Sequence, residues 1–339
     1  MYLLRLFVLM GFIALNSSEN QSSHKDQSSP MNITLKRCEL PNTVELQQYF
    51  GVTLEFIGIA GNALVVIVTL RYIKKSTYCQ RLIGCLAFAD FWYCLLSAKI
   101  RIFRLLSCIN ILNTISCKII YFGISASEVS ALGFILLIFL ERYIGIVYPF
   151  RKGLSGKSIV LLTLLNFTFS LIFWIPILIY TWEKNGQCKT RPSARNTFKI
   201  YVWLWMIFHF LLPVSAMCFF YYRIRKVLKE TSSLVSDESF SLLQRKRLTD
   251  NKRIMTILFG ILLAFVVFVF SQRLIWIIYI NHGISNFKGI QWLFFFAEIC
   301  YEFHAIVNPI IYSVIDSKFR ARVKQICRKK PSKNESSLT

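Results

Sequence analysis

The chain has 339 residues, 55% of them hydrophobic and only 17% charged, with 40 Lys and Arg against 17 Asp and Glu for a formal net charge of +23. A soluble domain carries about a quarter charged residues, and the mean hydropathy of +0.51 excludes that class. The excess of positive charge does not mark a nucleic-acid-binding protein, because the basic residues crowd alternate segments between long apolar runs.

In chain order, residues 1–17 read as a signal peptide, with Arg5 in a short n-region, an apolar stretch, and small polar residues after Leu15. The stretch is too short to cross a bilayer. Residues 18–48 are polar and rich in Ser, Asn and Gln, and read as a disordered extracellular N-terminus. Glycosylation sequons stand at Asn16, Asn20 and Asn32. Residues 49–315 then carry seven long apolar runs: Tyr49–Leu70, Leu82–Ala98, Ser116–Val147, Ile159–Trp182, Tyr201–Tyr222, Ile254–Ile280 and Ile290–Val314. A hydrocarbon core of roughly 30 Å takes about 20 residues of helix. The runs are continuous rather than alternating, so a β-barrel is excluded. The expected fold is an all-α membrane protein, a seven-transmembrane helix bundle. Residues 316–327 read as a short amphipathic eighth helix and 328–339 as a cytoplasmic tail.

Lys and Arg set the orientation. The first loop carries Arg71, Lys74, Lys75 and Arg81 without an acid, and the third such loop runs from Arg223 to Arg253 with nine basic residues along it. The tail adds Lys318, Arg320, Arg322 and Lys324. By the positive-inside rule these segments are cytoplasmic and the N-terminus is outside. Lys99, Arg101, Arg104 and Lys118 run against that rule, as do Lys184, Lys189, Arg191, Arg195 and Lys199. Topology does not require them, which points to recognition. Most of the ten cysteines lie in spans or on the cytoplasmic side. Cys117, opening the third span, and Cys188, in the second outer loop, would meet an oxidising compartment, and a bridge between them would pin that loop over the bundle. Cys38 and Cys108 are the other outer cysteines. Cys327, just past the amphipathic stretch, is a candidate palmitoylation site.

Polar groups inside the spans need a reason, since a charge at the bilayer centre costs about 2.5–3.5 kcal/mol on insertion scales. They are Asn62 in GIAGNALVV, Asp90 in LAFADFWY, Glu141–Arg142–Tyr143 closing the third span, and Asn308-Pro309-Ile-Ile-Tyr312 closing the seventh. Pro213 bends the fifth span, with Tyr221 two turns later. Taken singly, each has a structural explanation in an interhelical hydrogen bond, a kink or a snorkelling side chain. Taken together and in order, they make the chain resemble the rhodopsin-like (class A) G-protein-coupled receptors over roughly residues 50–327. The stretch ERYIGIVYPFR looks most like the peptide-receptor branches.

That resemblance implies a set of roles. Glu141 would hold Arg142 at the cytoplasmic face in the resting receptor, and outward movement of the sixth helix would free Arg142 for a heterotrimeric G protein. Tyr221 and Tyr312 would swing inward to hold the active arrangement. Asp90, with Asn62 and Asn308, would form a polar hub, and Leu132, Pro213, Phe265 and Phe268 would transmit motion to it. Arrestin and receptor kinases would be further partners, and membrane lipid the surroundings of a multi-pass plasma-membrane protein. The chain also departs from the pattern. Aligned on Phe265, Val269 replaces the usual aromatic toggle and Ser271 the usual Pro, and the fourth span has Asn166 or Phe167 where a Trp is usual. Ala131, His304 and Ala305 stand where sodium-site partners usually do, which weakens the case for a sodium cofactor and leaves His304 as a titratable group. An acid at the inner end of the sixth span, a second partner for Arg142, would be Asp250 or is replaced by Asn251.

Glu302 occupies the position where a retinal Schiff base requires Lys, and Ile124 the position of the amine-binding Asp, so neither ligand is expected by the usual route. The expected pocket has charges of both signs: Glu128 on the third span, Glu298 and Glu302 on one face of the seventh, Arg273 on the sixth, and Lys99 and Arg101 on the second. Two readings stand for them. One is internal ion pairing, such as Glu302 or Glu128 with Arg273. The other is a mixed-charge cavity for an extracellular peptide. A small-molecule receptor and a decoy that binds but signals weakly are the alternatives within the class. A transporter or channel would show internal repeats, and none is present. No HExxH, GxSxG, Walker loop or CxxC supports an enzyme.

Overall fold

The structure, a computed structural model, describes residues 42–107, 113–150, 153–175, 178, 181–184, 187–190, 203–234, 241–282 and 290–327. Seven helices in it are long and apolar enough to cross a membrane. They are α1 (Asn42–Arg71), α2 (Tyr78–Ser107), α3 (Thr114–Val147), α4 (Gly156–Phe173), α5 (203–234), α6 (Leu242–His282) and α7 (Ile290–Ile315). A final helix, α8 (Ser317–Cys327), follows α7 after one residue. The only strands among the described residues form an antiparallel hairpin, β1 (Thr181–Lys184) with β2 (Gln187–Thr190), pairing Glu183 with Cys188. The signal peptide, Asn16, Asn20, Asn32, Cys38, Cys108, Arg191, Arg195, Lys199 and the tail after residue 327 lie outside the described residues, as do the side chains of Cys188 and Cys327.

The helices follow the apolar runs, and their ends follow local chemistry. The first begins seven residues before the expected Tyr49, because Asn42–Gln48 belongs to α1 rather than to a disordered N-terminus. Gln47 and Gln48 are buried, so these two turns are packed against the bundle. Asn113 caps α3 by accepting the Ser116 N–H at 2.8 Å. The fourth helix stops at Phe173, short of the expected Trp182, and Thr181 and Trp182 enter β1. Pro176 follows three residues later and supplies no N–H to continue the ladder. Twelve residues before its expected start, α6 begins with a capping box in which the Gln244 amide oxygen accepts the Ser241 N–H and Ser241 Oγ accepts the Gln244 N–H.

Burial arranges the bundle. The best apolar window of α3 is 67% buried and that of α4 only 11%, so α3 runs through the centre and α4 along the lipid-facing edge. Close approach of these two depends on Asn166, one of the two residues at the expected Trp position. Its amide donates to the Ser130 carbonyl at 2.9 Å, and a Cβ on Gly133 would collide with its side-chain oxygen. Trp174, fully buried, lies at the outer end of α4 instead.

Pro213 has a specific local consequence. Having no N–H, it cannot close the helical bond to His209, and the turn before it widens into a π segment, Ile207–Leu211, closed by Leu212 N–H to Ile207 O. Such single π turns recur at functional positions, and here both His209 and Phe210 on the turn are buried in the bundle. In contrast α6 runs as one uninterrupted helix of 41 residues, with Val269 buried and Ser271 Oγ donating to the Phe268 carbonyl at 3.2 Å. The substituted toggle and Pro therefore leave α6 a continuous rod.

Candidate functional site

Three polar layers cross the apolar interior. The innermost is the end of α3. There Glu141 receives two hydrogen bonds from the guanidinium of Arg142, one to each carboxylate oxygen. Bidentate, charge-assisted pairing of this kind is among the stronger and more directional hydrogen-bonding arrangements available. Among the described residues Arg142 bonds to no group of α6. Tyr143 shares a hydroxyl contact of 3.2 Å with Tyr148 and packs its ring on Phe219 and Phe220 of α5. Tyr221 lies against Phe259 at 5.6 Å, half-buried. The Tyr312 hydroxyl is buried without a hydrogen-bond partner among the described residues. These two tyrosines thus occupy separate surroundings in this conformation.

The middle layer contains Asp90, which accepts a hydrogen bond of 2.9 Å from Asn308, and Asn62, which donates at 2.8 Å to the Ala305 carbonyl. Asn62 and Asp90 both reach α7, one turn apart, rather than bonding each other. Pro309 keeps its place inside α7. His304 contacts the Tyr301 carbonyl through Nδ1 at 2.6 Å and sets its ring against Tyr93. An internal cavity of about 20 Å³, enough for roughly one water centre, touches Asp90, Asn308 and His304 below and Glu128 and Tyr301 above, with Leu132 and Phe265 in its wall. Phe265 stacks on Phe210 at 6.2 Å, and Phe268 on Phe303 at 5.5 Å.

The outer layer holds the expected pocket charges, and they are paired with each other. In the first cluster Arg101 donates to Glu55 at 2.9 Å, to Glu302 at 2.5 Å and to Gln48 at 3.4 Å, with Tyr93 donating to Glu302 at 3.4 Å. Gly51 makes room for it, since a Cβ there would lie 2.6 Å from the Arg101 guanidinium carbon. This cluster joins α1, α2 and α7. In the second, Arg273 donates to Glu128 at 2.9 Å and to Gln272 at 2.6 Å, and lies 3.1 Å from His209 Nδ1. Its guanidinium stands 3.2 Å over the Trp205 ring, a desolvated cation–π contact worth about 2 kcal/mol. Tyr301 also donates to Glu128, and Gln272 donates to Glu298 at 3.1 Å. This cluster joins α3, α5, α6 and α7.

Of the six residues expected to line the pocket, five fall in these clusters. Lys99 does not: it is exposed, and two helix positions from Arg101 place it about 200° around α2. The residues of these clusters that reading the sequence missed are Gln48, Glu55, Tyr93, Trp205, His209, Gln272 and Tyr301. Glu55 carries the same signal as Glu128, a carboxylate within a span, and His209 stands four residues before Pro213, where the helix ladder must break. Cys117 is buried at the start of α3. The hairpin beside it is tied to the start of α3 by Glu183 N–H donating to Thr114 Oγ1 at 3.3 Å.

Residues 61–312 match the family described as 7 transmembrane receptor (rhodopsin family). Among curated proteins the chain is 24% identical to the bovine (Bos taurus) short-wave-sensitive opsin 1 over 87% of its own length and 84% of that protein's. To the human opsin of the same name it is 26% identical, over 84% of the chain and 83% of the relative. To the mouse (Mus musculus) thyrotropin-releasing hormone receptor it is 25% identical, over 87% and 85%. The chain belongs to the rhodopsin family of seven-transmembrane receptors. It is a multi-pass membrane protein and a signalling receptor rather than an enzyme.

Proposed function

We propose that this receptor sits in the plasma membrane with its N-terminus outside, is activated by an extracellular peptide, and signals to a heterotrimeric G protein through outward movement of α6. The observation that carries the ligand reading is the pair of outer clusters, where charges of both signs are gathered between the helix ends. The ionic groups of a peptide exchange with such pairs: its cationic groups compete for Glu128, Glu298 and Glu302, and its carboxylates for Arg101 and Arg273. The similarity to thyrotropin-releasing hormone receptors supports the same reading. The inner-end pair supports the signalling step, with Glu141 restraining Arg142 until α6 moves and Tyr221 and Tyr312 then closing inward. A Cys117–Cys188 bridge would anchor the β-hairpin over the ligand entrance. Sugar at the N-terminal sequons, a palmitoyl chain on Cys327, and arrestin and kinase contacts on the inner loops belong to the same reading.

The opsin relatives favour a second reading, a small-molecule ligand in the same layer. Retinal attached through a Schiff base does not fit: residue 302 is a Glu whose carboxylate is bonded to Arg101, and α7 has no Lys between 290 and 315. A carboxylate cannot condense with an aldehyde. The test is G-protein dissociation in cells expressing the chain, challenged with tissue fractions before and after protease digestion, beside an Arg142→Ala copy at matched surface density. The peptide reading expects a response that digestion and the substitution both abolish. A response that outlasts digestion moves the ligand to small molecules.

A further inference from the structure

The inner end of α6 must leave the bundle for the receptor to signal, and in this structure it is not held by Arg142. Asp250, one of the two residues at the place of a second acid partner for Arg142, pairs with Lys318 instead, and both hydrogen bonds of Arg142 go to Glu141. Two charged residues of α6, Asp250 and Arg253, are three apart and so share one helix face. That face meets the elbow between α7 and α8. Arg253 is ion-paired with Asp316 and donates to Ser317 Oγ at 2.8 Å, while Lys318 donates to Asp250 at 2.9 Å. On the other side Lys252 donates to Ser232 Oγ of α5 at 2.8 Å.

Asp316 has a second task. Its Oδ1 accepts the backbone N–H groups of Lys318 at 2.9 Å and Phe319 at 3.2 Å, so it is the N-cap of α8. The carboxylate that starts α8 therefore also receives α6, and the helix N-terminus favours its charge. Because α6 is a continuous helix without a Pro, its inner end cannot swing on a local kink and must move with the whole rod. Any outward displacement must then part both ion pairs.

We infer that Asp250 and Arg253 with Lys318 and Asp316 form an ionic latch that holds α6 closed against the α7–α8 elbow. They are positioning residues for the signalling step, taking the place of a contact between α3 and α6. The latch rests on the reading of the chain as a receptor whose α6 moves, but needs neither the ligand nor the G protein for its test.

That test uses the full-length receptor in nanodiscs, with nitroxides at Arg247→Cys and Ala321→Cys and with Cys218 and Cys327 replaced by Ser. Pulsed electron resonance reads the separation of α6 from α8. Arg253→Gln and Asp316→Asn are compared with the parent; Asn retains an acceptor for the cap while losing the charge. Partly exposed pairs of this kind shift a two-state balance by about fivefold, so each variant is expected to raise the long-distance population about fivefold. Lys318→Glu should open the latch as well, and Asp250→Lys combined with it should close it again. Distance distributions unchanged in both Arg253→Gln and Asp316→Asn overturn the latch. So does a double charge swap as open as Lys318→Glu alone. A latch that behaves as expected beside a response that outlasts protease digestion refutes only the ligand reading.

Discussion

Neutralising Glu128 and Arg273 together should cost less than the sum of neutralising each. The two side chains are 2% and 1% exposed and 2.9 Å apart, so removing either charge strands the other in a medium that solvates it poorly. Breaking a buried pair from one side costs about 3–5 kcal/mol. In Glu128→Gln the stranded Arg273 keeps the Trp205 face and Gln272. In Arg273→Met the stranded Glu128 keeps the Tyr301 hydroxyl. Both residual contacts are of about 2 kcal/mol, which places each single variant near the lower limit, about 3 kcal/mol. Glu128→Gln/Arg273→Met buries no charge and should lose no more than either single variant, a coupling of about 3 kcal/mol. Unfolding in mixed micelles by titration with dodecyl sulfate measures all four proteins of this cycle. Additive losses, near 6 kcal/mol in the double variant, would refute the pairing as the reason these charges are tolerated.

Other expectations follow from the same geometry. Pro213→Ala restores the missing N–H and should regularise the π turn, rotating His209 and Trp205 away from Arg273; hydrogen exchange of the amides at 207–212 should slow, and ligand response should fall with surface expression retained. Glu302→Lys places two cations at the 2.5 Å contact with Arg101 and should lower surface abundance severalfold, with Arg101→Glu restoring part of it, as read by flow cytometry of a tagged N-terminus. Gly133→Ala should cost about 1–3 kcal/mol by overpacking against Asn166, and Gly133→Ala/Asn166→Ala should recover most of it in the same dodecyl sulfate titration.

The apolar runs made the number and order of the spanning helices legible, because length and continuity in a bilayer admit few alternatives. The inner motifs were legible for a similar reason: Glu141 and Arg142 are neighbours in the chain, so their pairing needs no knowledge of tertiary structure. The outer clusters were only half legible. Glu128 and Arg273 stand out as charges within spans, but their union requires two helices to meet at one height, with His209 delivered by a π turn that no periodicity reports. The ends of α4 and α6 were misjudged because hydropathy marks the membrane and not the helix. The hairpin took over the expected end of the fourth span, and a capping box extended α6 into the basic loop. Asp250 is legible as an acid at the inner end of α6, but its partner on α8 depends on how the α7–α8 elbow packs.

The most direct test of the proposed restraint on Arg142 is G-protein dissociation in cells without added ligand. The parent, Glu141→Gln and Glu141→Gln/Arg142→Ala are compared at equal surface density. Loss of the Glu141 charge should release Arg142 and raise basal signalling above the parent, and the double variant should fall back below it. Equal basal signals from all three, in cells where a fraction does stimulate the parent, would contradict the claim that this pair holds the receptor at rest.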